Sequence, residues 1–70
     1  MLTEDEAIAG IERLTSALEQ RSLETRSIRQ FFNVGEWLLA FEGLEACATY
    51  FTDAERNELA ALKDYFGAPA

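Results

Sequence analysis

Gly35-Glu36-Trp37-Leu38-Leu39-Ala40-Phe41-Glu42-Gly43-Leu44-Glu45-Ala46-Cys47-Ala48-Thr49-Tyr50-Phe51 decides how this chain folds. At about 100° per residue, Trp37, Ala40, Phe41, Leu44, Ala48 and Phe51 fall on one broad apolar face. Leu39, Gly43, Ala46 and Tyr50 form a second strip, which leaves only Leu38, Glu42, Glu45 and Thr49 for water. A helix this apolar around its circumference belongs in the middle of a bundle. Gly43 fits that place, because a glycine inside a helix costs about 1 kcal/mol against alanine and is tolerated where a neighbouring backbone comes close. The stretch therefore predicts a central helix over about 35–51.

Working outward, the neighbouring segments supply helices to cover it. Thr3-Glu4-Asp5-Glu6 has the spacing of a capping box, and its three acids complement the dipole of a first helix. Ala7, Ile8, Ile11, Leu14, Thr15 and Leu18 make that helix one-sided up to about Gln20, with Gly10 weakening it slightly. Ser22 is placed to cap a shorter second helix reaching about Phe32, whose apolar face is Leu23, Ile28, Phe31 and Phe32. Asn33-Val34-Gly35 supplies the turn into the central helix, and Glu36 then falls in its first turn. Thr52-Asp53-Ala54-Glu55 is a second capping box, opening a fourth helix with Leu59, Leu62 and Phe66 inward. Gly67 is placed to end that helix, and Ala68-Pro69-Ala70 reads as a frayed tail. The expectation is one all-α domain over 1–70, a small four-helix bundle with helix three central.

Composition narrows the function. The chain is 70 residues long, so one thin core is all it can bury, and a stabilising partner would matter. Thirteen acidic residues against six basic ones give a net charge of −7, which disfavours nucleic acid and favours either a basic protein partner or plain solubility. There is no histidine, so histidine catalysis and histidine-containing zinc sites are excluded. Carboxylates Glu36, Glu42 and Glu45 lack the cleft that glycoside chemistry requires. No calcium loop or phosphate-binding glycine loop is present, and neither is the Asp-Ser-Leu attachment site of an acyl carrier. Residues 22–45 drawn as a helix-turn-helix would present Glu36, Glu42 and Glu45 to DNA with no base among them.

The lone cysteine, Cys47, is read as a packing residue in a reducing compartment. With no leader-like amino terminus and no apolar run of membrane-spanning length, the expected location is cytoplasmic, with no membrane contact. Arg21, Arg26 and Arg29 have two competing uses: ion pairs inside the bundle, which the many internal carboxylates favour, or contacts to a partner. Among the acids, Glu42, Glu45, Thr49, Asp53, Glu55 and Glu58 are candidates for one partner-binding patch. The same residues also read as an ordinary solvated face.

Gly35-Glu36-Trp37, then Ala40-Phe41-Glu42 and Leu44, resembles the central motif of small bacterial immunity proteins of the MafI-like and contact-dependent-inhibition kind. The likeness continues through Thr52-Asp53-Ala54-Glu55, Leu59, Leu62 and Gly67, covering roughly 28–67. The chain departs from that pattern where Phe51 runs almost directly into Thr52, without a longer acidic connection. The resemblance implies a non-enzymatic protein that binds and neutralises a cognate toxin, and many such toxins are basic nucleases. Glu36, the acid within the motif, is read as a first-turn residue, and binding is assigned to the six residues above. No cofactor is expected. The alternative is a structural interaction module or homodimer formed through Trp37, Leu38, Leu39 and Tyr50.

Overall fold

Thr3 opens the first helix as its spacing to Glu6 predicts. In the computed structural model, which describes residues 1–67, the Thr3 amide donates to Glu6 Oε1 at 2.9 Å and the Glu6 amide donates to Thr3 Oγ1 at 3.2 Å. Helix α1 spans Glu4–Gln20, α2 Arg26–Asn33, α3 Trp37–Glu45 and α4 Asp53–Gly67, with a short 3-10 turn at Ala48–Tyr50. The second capping box also forms: the Thr52 amide donates to Glu55 Oε1 at 2.8 Å, and the Glu55 amide to Thr52 Oγ1 at 3.2 Å. The protein is an all-α bundle of four helices, with no strand among the described residues. Among the described residues no helix is long and apolar enough to cross a membrane.

Four boundaries differ from the sequence reading. Ser22 does not cap α2; it closes α1 in the left-handed conformation, at φ 62°. Around it the Leu23 amide donates to the Leu18 carbonyl and the Ser22 amide to the Glu19 carbonyl, both at 3.0 Å. This six-to-one and five-to-two pair is the Schellman closure of a helix end. The same closure ends α2, where Glu36 donates to Phe31 at 2.9 Å and Gly35 to Phe32 at 3.2 Å, with Gly35 at φ 78°. Glu36 is consequently the residue before α3, with no side-chain capping bond, rather than part of its first turn.

The central helix is also shorter than 35–51. It stops at Glu45, and the chain tightens into the 3-10 turn before Phe51. Cys47, Thr49, Tyr50 and Phe51 are all weaker helix formers than the Leu and Ala before them. Arg56 then takes the freed carbonyls, its guanidinium donating to Phe51 O at 2.7 Å and Ala48 O at 3.3 Å. This turn bends the chain into Thr52 with no linker, and Phe51 still reaches the core. The expected end of α4 shifts as well, since Gly67 lies within the helix. The tail at 68–70 lies outside the described residues.

Shortened, α3 nevertheless packs against α1, α2 and α4. It buries Ala40, Phe41 and Leu44 against Ile11, Leu14 and Leu18 of α1, Ile28 of α2, Phe51, and Leu59 and Leu62 of α4. Each such large apolar side chain contributes about 1.5–3 kcal/mol, so this cluster outweighs any surface ion pair. Gly43 is needed for a side chain and not for a backbone. A Cβ there would stand 2.7 Å from Ile28 Cγ1, so α2 and α3 interlock at that point. The buried polar groups are satisfied too, Thr15 Oγ1 donating to Ile11 O at 2.7 Å and Thr25 Oγ1 to Glu19 Oε2 at 2.6 Å.

Candidate functional site

Charge is distributed unevenly over this frame. Arginines strap α1 to its neighbours: Arg21 Nη1 and Nη2 donate to the two oxygens of Glu55 at 2.9 and 3.0 Å, and Arg13 Nε donates to Glu58 Oε1 at 2.8 Å. On the α2 side, Arg29 meets Glu12 at 2.7 Å and Glu19 at 2.8 Å. Hydrogen bonds from Arg29, and then from Thr25, hold the Glu19 carboxyl down at about 2. Those from Arg21 and the Thr52 amide lower that of Glu55. Arg26 reaches only Glu24, at 3.8 Å and in the open. Internal pairing is thus the use made of Arg21 and Arg29.

This pairing divides the six residues expected to form one patch. Glu58 is held by Arg13 of α1 and Glu55 by Arg21 just after it, and Asp53 accepts from Arg56 at 2.6 Å. Their charge is largely met within the bundle. Glu42 and Glu45 have no ion-pair partner among the described residues, and Thr49 is exposed on the 3-10 turn. Between Arg29 and Arg56 the chain has no basic residue, so nothing local could neutralise them. Of the six, the fold thus gives Asp53, Glu55 and Glu58 an arginine each and leaves Glu42 and Glu45 without one.

Large apolar groups share that part of the surface. On α3, Leu38 is 50% exposed and Leu39 39% exposed. At helical spacing they lie four and three residues before Glu42, on the side away from Ala40, Phe41 and Leu44. Val34 and Tyr50, just before and after α3, are exposed as well. The expected second strip of Leu39, Ala46 and Tyr50 thus faces outward, and only Gly43 within it meets another helix. Trp37 is half-buried, its ring edge-on to Phe32 with centroids 5.3 Å apart. The face is an acidic helix ridge with leucines on it.

Concave surface lies elsewhere. A groove of about 240 Å³ runs between α1 and α4, with Ala9, Gly10, Ala61 and Leu62 along it. Gly10 does more than weaken α1, because a Cβ there would come 3.3 Å from Glu58 Oε1 and 3.4 Å from Leu62 Cδ2. A second groove, of about 420 Å³, opens beside it at Met1, Leu2, Ala61, Asp64 and Tyr65. Neither groove has an α3 residue in its wall. Among the described residues no group of His, Cys, Asp and Glu side chains is placed to hold a metal ion. Cys47 is half-buried beside the core.

Sequence reading missed Arg56, whose three contacts fix the corner between α3 and α4. Its position four residues after Thr52 was the available signal, because a long cation in the first turn of a helix can reach back to the preceding carbonyls. In comparisons with known proteins, no protein family, curated protein or solved structure matches the chain. The likeness to immunity proteins rests on the residues quoted for it between 28 and 67.

Proposed function

We propose that this protein is a non-catalytic inhibitor of the immunity type, which binds and neutralises a basic toxin domain in the cytoplasm. The observation that carries the reading is the unpaired charge of Glu42 and Glu45 beside exposed Leu38 and Leu39, in a stretch without a basic residue. A partner that covers this face would have to bring the positive charge itself, and a nuclease surface is basic because it grips phosphate. Apolar contact then supplies short-range affinity while the carboxylates raise the association rate and select against acidic competitors.

The second reading, a homodimer through Leu38, Leu39 and Tyr50, draws on the same exposed side chains. Pairing this face with itself would set carboxylate against carboxylate with no cation between them, which favours the heterologous partner. Affinity capture from source cells, with and without the neighbouring reading frames, tests the proposal. The expected result is a basic polypeptide whose toxicity is relieved when this chain is co-expressed, with association slowing steeply as salt is raised. Recovery of the chain's own copies alone, with a dimer mass in solution, overturns it.

A further inference from the structure

We infer that this chain exchanges α1 with a second copy: the corner at Arg21–Thr25 straightens, α1 and α2 become one helix, and each α1 docks on the other copy's α3 and α4. What covers that surface is on view in the single chain, where α1 packs on α3 and α4. Ile11, Leu14 and Leu18 join one cluster with Phe41, Leu44 and Leu62, and Arg13 meets Glu58. The same contacts form whether the two sides belong to one chain or to two. Exchange of an identical element thus makes a dimer without a new core. Leu38 and Leu39 lie outside the exchanged contact, so the inhibitor reading neither supports nor opposes the exchange.

The corner is a short, strained hinge of the kind that invites exchange. From Ile11 to Val34 there is no glycine or proline, so no helix breaker stands in the way of one helix of about 45 Å from Glu4 to Asn33. Ser22, at φ 62° in the bent form, returns to the right-handed region in the straight one. The two helix ends that meet at the corner also carry the wrong charges. The last turn of α1 has Glu19 and no base, and α2 starts on Arg26 with no acid in its first turn and no side-chain cap. Joining the helices removes both ends and gives the Ser27 and Ile28 amides the carbonyls of Leu23 and Glu24. The buried stripe stays in phase as well. Ile11, Leu14, Leu18, Thr25, Ile28 and Phe32, all buried or half-buried, follow at the alternating three- and four-residue spacing of a helix seam, with one place skipped at Arg21. Two residues oppose the straight form: half-buried Leu23 turns to its far side, and Arg21 enters the seam. They keep the single chain dominant in dilute solution.

To test this, the native chain, Ser22→Gly and Ser22→Ala are concentrated, warmed to their thermal midpoints and cooled, and their masses are measured by light scattering after size-exclusion chromatography. The expected result is a dimer that grows with concentration and parts slowly on dilution in the cold, because α1 must leave a core to return. Glycine relieves the bent form and weakens the straight helix, alanine does the reverse, and each dimer contains two corners. The dimer dissociation constant should therefore rise about tenfold or more in Ser22→Gly and fall in Ser22→Ala. An Arg13→Glu chain and a Glu58→Arg chain are then mixed and taken through the same cycle. Each alone sets like charges together, and exchange between the two restores an opposite pair at both contacts, so the mixed dimer should exceed its statistical share. Absence of a dimer in both the native chain and Ser22→Ala overturns the exchange. So does failure of the mixed pair to exceed its statistical share, or a dimer equally stable with glycine and alanine at position 22, as one formed side by side through Leu38, Leu39 and Tyr50 would be.

Discussion

Ser22 and Gly35 occupy the same position of the same helix-ending motif, yet only one of them is a glycine. At φ 62° Ser22 keeps its Cβ close to the following carbonyl, a strain that glycine lacks. Ser22→Gly should therefore stabilise the protein by about 0.5–1 kcal/mol, seen as a higher urea midpoint with an unchanged slope. Gly43 gives the opposite outcome. Alanine there gains about 1 kcal/mol of helix propensity, but its methyl would meet Ile28 Cγ1 at 2.7 Å on a side chain stiff at χ1. Overpacking costs about 1–3 kcal/mol and wins. Gly43→Ala should lower the urea midpoint, and combining it with Ile28→Ala should cost less than the sum of the two single changes. Serine is a preferred N-cap residue, which is why position 22 reads as the start of α2 from sequence. What separates that role from a helix-closing one is the sign of φ, which depends on where Leu23 packs.

Among the elements, α2 is the one most dependent on charge for its attachment. It buries only Ile28 fully, and Thr25 before it donates its hydroxyl to Glu19 rather than capping the helix. Glu19 receives Thr25 and Arg29 together, and its pKa is lowered in the folded protein to about 2. A carboxyl with a depressed folded pKa stabilises the fold above its unfolded value, which is about 4.3 for Glu. That contribution is lost as pH falls from there toward about 2. Glu55 and Glu6 are shifted in the same direction. Stability measured by denaturant titration should decline through this window, and Glu19→Gln should make the decline shallower. The loss should appear first as earlier exchange of the α2 amides, since only that helix shares both of Glu19's partners. The elements themselves were largely legible from the chain, because capping boxes at Thr3 and Thr52 are local signals. The end of α3 was not, since the apolar periodicity runs on to Phe51 unbroken. The contact of Arg56 with two carbonyls, formed once α4 is in place, fixes where the chain turns.

For the whole molecule, the balance between paired and unpaired charge sets how stability responds to salt. The bundle measures 36 × 28 × 18 Å, so at about 0.01 M salt, with a screening length of about 30 Å, nearly every charge acts on every other. At about 0.15 M that length is about 8 Å. Long-range repulsion among acids in a chain of net charge −7 is then screened, while contacts such as Arg21 with Glu55 at 2.9 Å are little affected. The thermal midpoint should rise over that range, and a fall would show that the arginine straps carry more of the stability than this balance assigns them. The acidic character was legible from composition. Its division was not: Asp53, Glu55 and Glu58 look as available as Glu42 and Glu45 until the fold brings Arg56, Arg21 and Arg13 to them.

Trp37 is the chain's only tryptophan, and it stands at the first position of α3, half-buried against Phe32. The molecule thus has an optical label of its own at the root of the ridge, next to Leu38. A partner that covers that leucine and reaches the adjoining half-buried indole would change how much water the indole meets. Indole emission shifts to shorter wavelength as water leaves, so occupancy of this face can be followed by fluorescence in the unmodified protein, at concentrations far below those that structural methods need.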